Sequence, residues 1–133
     1  MRGLFLDEEY INRKVTADIN LAKEEFDSAK ILFEVGKYRQ TVTHSYYAMF
    51  NAATALLTKK DIVANSHEGL IMFVGKEYVK NGIFDKEIFG FLTKTRVDRK
   101  DSSYDSLAIF TEEDAFESLN NSEIFIQEVE KLL

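Results

Sequence analysis

The sequence predicts an all-α fold, an antiparallel up-and-down bundle of four to five helices, on three observations. Proline is absent from all 133 residues, so the strongest helix breaker never interrupts the chain. Apolar residues recur at spacings of three and four, and strand-like alternation is nowhere sustained. Residues 38–57, YRQTVTHSYYAMFNAATALL, are apolar on nearly every side. A helix of that kind belongs in the middle of something.

The N-terminal dozen residues carry Leu4, Phe5, Leu6, Tyr10 and Ile11, which fit a short helix or an arm. Residues 1–15 are therefore set apart from a bundle over 16–133. From about Thr16, the positions Ile19, Ala22, Phe26, Ala29 and Phe33 step by three and four, with Gly36 as the stop. In the second helix Val42, Tyr46, Met49, Ala53, Leu56 and Leu57 form one stripe, and Ala48, Ala52 and Ala55 lie opposite. Two arrangements satisfy such a helix: its own chain surrounds it, or its back face meets a second copy. The small residues permit close backbone approach, which suits the second arrangement and predicts a homodimer.

Ser66 is placed to cap a third helix carrying Leu70, Phe73, Val74 and Tyr78 inward, and Asn81-Gly82 ends it. Asp85 caps a fourth, with Ile88, Phe91, Leu92 and Thr95 inward. The same face continues to Arg96 and Arg99, so the core stripe turns basic. Thr111 and Asp114 are spaced as a capping box for a fifth helix. Its inward set is Ala115, Leu119, Ser122, Ile126, Val129 and Leu133. Short links between helices favour antiparallel neighbours.

Apolar residues make up 45% and charged residues 30%, an ordinary mixture for one soluble domain. Cysteine is absent, which excludes a disulfide framework and a thiolate nucleophile and fits a reducing cytoplasm. No apolar run is long enough to span a bilayer, and the N-terminus turns acidic before a secretory core forms. A cytoplasmic protein without membrane contact is expected. The net charge of −6 argues against indiscriminate binding to nucleic acid. One spot departs from that balance: Lys94, Arg96, Arg99 and Lys100 face only Asp98 in the same stretch. A single basic spot on an acidic protein is selective about where an anion docks.

Chemistry-bearing groups are few. Neither a metal-ligand spacing nor a glycine-rich phosphate loop is present, so no metal and no cofactor are expected. His67 follows the proposed cap Ser66 and reads as a first-turn residue that hydrogen-bonds a neighbouring element. His44 shares a helix face with Tyr47 and becomes a general base only if that face opens onto a cleft. The stretch from Arg96 through Arg99 to Tyr104 is the remaining candidate. Guanidinium groups present a fixed fork of donors suited to phosphate oxygens, and a tyrosine adds a hydrogen bond or a stacking surface.

Three segments carry a resemblance: Ser45-Tyr46-Tyr47-Ala48-Met49-Phe50, Ser66-His67-Glu68-Gly69-Leu70, and Tyr78-Val79-Lys80-Asn81-Gly82 ahead of Phe84-Asp85-Lys86. Together they resemble the small HEPN-domain proteins, in particular their UPF0332-like branch, over residues 17–133. The resemblance implies an antiparallel helical bundle that dimerises and that is often encoded beside a minimal nucleotidyltransferase as a toxin–antitoxin pair. Active toxins of the family are metal-independent ribonucleases with arginine, four to six residues, then histidine. Here Arg99 takes the arginine position, but Tyr104 stands five residues on and no histidine follows. A phenol with a pKa of about 10 is a poor base at neutral pH, and losing a proton-transfer group costs about 10²–10⁴-fold in rate. Arginine followed by an Asp-Tyr pair is common in this branch, so Tyr104 resembles its own branch.

Two functions are carried forward. The leading expectation is a module that binds nucleotide or RNA phosphate and acts with a nucleotidyltransferase-like partner protein. Its anion spot is Arg96, Arg99 and Tyr104, with His44 or Tyr47 across a cleft. The alternative is a divergent ribonuclease toxin in which His44 or Tyr104 replaces the missing histidine.

Overall fold

The structure is a computed structural model. It describes the backbone of residues 4–133 and the side chains of residues 8–98 and 105–133. The side chains of Arg99 and Tyr104 lie outside the described residues. Five helices make up the bundle, and no strand occurs among the described residues. They are α1 (Leu4–Glu34), α2 (Tyr38–Lys59), α3 (His67–Val74), α4 (Lys86–Tyr104) and α5 (Glu112–Glu130). Among the described residues no helix is long and apolar enough to cross a membrane.

The central rod is α2, which packs against α1, α3, α4 and α5. Its predicted stripe is fully sequestered, with Val42, Tyr46, Met49, Ala53, Leu56 and Leu57 at most 1% exposed. Its back face is sequestered too: Ala48, Ala52 and Ala55 are each 0% exposed within a single copy. This corrects the argument from small residues to a dimer seam. The alanines let the chain's own helices approach closely, and none of that face remains for a second copy.

Local chemistry sets the helix ends. Gly36 ends α1 at φ +80, a left-handed conformation in which any side chain is strained, and the Lys37 N–H folds back onto Leu32 O at 2.8 Å. The α1 helix begins at Leu4, well ahead of the Thr16 start that apolar spacing predicts. Its early turns carry polar residues, and the Lys14–Asp18 pair at 2.8 Å ties one turn to the next. Asp18 also accepts from Thr58 Oγ1 at 2.7 Å, joining α1 to the end of α2 in a buried contact.

Ser66 caps α3 by accepting from the Gly69 N–H at 2.9 Å. The helix then widens into a π-helical turn, Gly75–Val79, before Gly82 closes it at φ +80. Within that turn the buried Tyr78 donates to Leu56 O at 2.6 Å. Asp85 Oδ1 accepts from the Ile88 N–H at 2.9 Å, starting α4. Thr111 and Asp114 form the reciprocal capping box of α5. The inward face of α5 is wider than predicted, because Ser118 and Phe125 are buried beside the expected set. Leu133 is 41% exposed and does not belong to it, since α5 ends at Glu130 and helical spacing no longer governs the last residues; Leu132 packs against the core instead.

Candidate anion site and its surroundings

The basic end of α4 meets the start of α3. Arg96 continues the α4 face that runs through Leu92 and Thr95, and only 22% of its side chain is exposed. Its Nη2 donates to Glu68 Oε1, and the Glu68 side chain is 70% exposed. Glu68 sits in the first turn of α3. A hydrogen bond from its own backbone amide, and then the Arg96 guanidinium, hold its carboxyl below the usual carboxylate range. The Nε of Arg96 is buried and has no hydrogen-bond partner among the described residues. A guanidinium and a helix start thus converge on one carboxylate that faces water.

His67 stands beside Glu68 and closes the cluster against α2. Its Nδ1 lies 2.5 Å from the hydroxyl of the fully buried Tyr46. The two rings are nearly parallel at 11°, and Phe50 packs on the other ring contact at 4.5 Å between centroids. This matches the reading of His67 as a first-turn residue bonded to a neighbouring helix. The tyrosine pair divides its labour: Tyr46 reaches His67, while Tyr47 meets Tyr46 edge-on at 5.5 Å.

His44 belongs to another place. Its Nδ1 lies 2.6 Å from Glu25 Oε2, which ties α2 to α1, with the two side chains 37% and 26% exposed. A carboxylate on one ring nitrogen orients an imidazole and leaves the other nitrogen to act. No hydrogen bond or ion pair joins His44 to Arg96, because the one turns toward α1 and the other toward α3. Of the five predicted site residues, Arg96 has a described anionic partner, His44 has a dyad elsewhere, and Tyr47 lies beside Tyr46. Arg99 and Tyr104 are outside the described side chains.

Sequence reasoning missed Glu68, Phe50, Glu25 and Arg39. Arg39 donates to Asp105 O at 3.0 Å and Ala108 O at 2.6 Å, fixing the chain just beyond α4. No sequence signal marks such pairings, which join positions far apart along the chain. Among the described residues, no group of three or more acidic or histidine side chains is arranged to hold a metal ion.

The five-helix bundle around a buried α2 is consistent with a HEPN domain, and residues 17–132 match the family model of that domain. The chain belongs to the HEPN-domain family. Its similarities narrow this to the UPF0332-like branch. A UPF0332 protein of Thermotoga maritima is 32% identical over 112 residues, 84% of this chain and 85% of that protein. Another, of Pyrococcus horikoshii, is 36% identical over 90 residues, 68% of this chain and 63% of its own length. A Methanocaldococcus jannaschii protein named "Putative toxin" is 36% identical over 124 residues, 92% of this chain and 91% of its own.

Proposed function

We propose that the chain is a HEPN-type interaction module that binds nucleotide or RNA phosphate and works with a nucleotidyltransferase-like partner, as in a toxin–antitoxin pair. The observation that carries the reading is the Arg96–Glu68 pair at the start of α3. A water-facing carboxylate clasped by a guanidinium and a backbone amide has the charge and acceptor geometry of a phosphate oxygen. A phosphate that displaces Glu68 gains the same donors, and Arg99 lies one turn further along α4. The toxin name carried by relatives supports the same direction. The test is a titration of labelled single-stranded RNA and of AMP, followed by anisotropy or calorimetry. Arg96→Ala and Arg99→Ala each weaken binding; affinities equal to the parent protein's would remove the anion site.

A homodimer belongs to the reading, formed through a surface other than the alanine face of α2. Light scattering on the purified chain measures it directly, and a mass of one copy rejects it.

The His44–Glu25 dyad favours a second reading, a divergent ribonuclease in which His44 supplies the base. Induced expression followed by RNA sequencing decides it. Cleavage that His44→Ala abolishes supports it, and intact RNA with unimpaired growth removes it.

A further inference from the structure

We propose that the loop between α4 and α5 is a docking epitope for a partner protein whose surface offers an apolar pocket rimmed by lysine and arginine. Leu107 and Ile109 are 87% and 86% exposed. Single exposed aliphatic residues are ordinary; these two project from a segment that is held in place. Arg39 donates to Asp105 O at 3.0 Å and to Ala108 O at 2.6 Å, and its guanidinium lies 5.4 Å from the Phe110 ring centre. Asp105 Oδ1 accepts from the Leu107 N–H at 2.9 Å, which sets the turn. The alternate residues Ala108 and Phe110 are half-buried beneath, so the loop is anchored by one side and displays the other. A preorganised aliphatic pair loses little freedom on binding, which is the character of an interface anchor.

Charge identifies the occupant. The loop runs into the exposed Glu112, Glu113 and Asp114 of the first turn of α5. Asp114 is engaged in the capping box, whereas Glu112 and Glu113 have no ion-pair partner among the described residues. A two-fold contact between copies through this loop sets those carboxylates against their own equivalents, which disfavours a second copy. A partner with cations around an apolar pocket satisfies both features. The surface is independent of the phosphate reading, because Arg96 and Glu68 take no part in it.

The test places a photo-crosslinking benzoylphenylalanine at position 107 or 109 of the full chain in its host cell, with Lys76 replaced in the same way as a control. The expected result is an adduct at 107 and 109, absent at 76, to a different protein whose contact peptide is apolar with basic flanks. With that protein purified, Leu107→Ala and Ile109→Ala each weaken affinity by about tenfold or more. Glu112→Gln with Glu113→Gln weakens it further and flattens its dependence on salt, while Arg96→Ala leaves it unchanged. An adduct to a second copy of this chain, no adduct at all, or affinities indifferent to the loop substitutions would overturn the proposal. Unchanged circular dichroism shows that the variants fold.

Discussion

Under the proposed anion reading, Glu68 is the residue at which binding and stability meet. Its carboxylate pairs with Arg96 from the solvent side, and in the proposed reading an incoming anion must displace it from those donors. Glu68→Gln keeps the size of the side chain and removes the charge, and it tightens the binding of RNA and AMP severalfold in the titration described above. A merely structural pair gives the opposite result, weaker binding through a loosened arginine. The acid dependence has a definite sign. The folded carboxyl has a lowered pKa, so its contribution to stability is present above the ordinary carboxylate range and is lost as pH falls through the folded value. Urea midpoints compared from about pH 6 down to about pH 3 should fall less steeply for Glu68→Gln than for the parent. Tyr78 works at the other end of the scale. Burial, and secondarily the nearby Glu77, push its hydroxyl above the ordinary tyrosine value. A raised folded value means that stability is full below the unfolded pKa and is lost as pH rises through the folded one. Tyr78→Phe removes that alkaline loss. At neutral pH it also leaves Leu56 O without its donor, which costs about 1–3 kcal/mol.

Elements were legible in proportion to how local their determinants are. The Ser66 cap, the Asp85 cap and the Thr111–Asp114 box need only a few adjacent residues, and each stands where the sequence places it. Boundaries set by long-range contacts were not legible. The early apolar residues Leu4, Phe5, Leu6, Tyr10 and Ile11 fit a separate short helix or an arm as well as a continuous α1, so spacing alone did not join them to the helix that starts at Leu4. Phe125 escaped because stepping by threes and fours picks one line of residues, whereas α5 buries a wider arc of its surface. The candidate anion site was half legible: the α4 stripe turning basic pointed at Arg96, but its partner Glu68 is 28 residues away and no spacing rule links them. The capping box gives the cleanest test at this scale. Thr111→Ala removes the acceptor for the Asp114 N–H at 3.1 Å and costs about 1 kcal/mol. Because Thr111 also ends the loop that Arg39 holds, hydrogen exchange in the first turn of α5 should rise while α2 stays protected.

At the scale of the whole molecule, the same alanines carry opposite meanings in the two possible architectures, and one substitution separates them. Ala48, Ala52 and Ala55 are fully buried within one copy, so the alanine face of α2 is not left over, and the side carrying Gln40, Thr43, His44, Tyr47, Asn51 and Thr54 stays partly open. The sequence supplies close approach at these positions but not the identity of what approaches, because a helix of the same chain and a helix of another copy ask for the same small side chains. Ala52→Leu adds three carbons where the interior is already filled. Overpacking of that kind costs about 1–3 kcal/mol in a buried site. If α2 is enclosed by its own chain, Ala52→Leu lowers the unfolding free energy read from urea titration by that amount and leaves the mass measured by light scattering unchanged. A dimer seam along the alanines predicts the reverse: a fall in mass with concentration-dependent melting, because separation of the copies would precede loss of the fold.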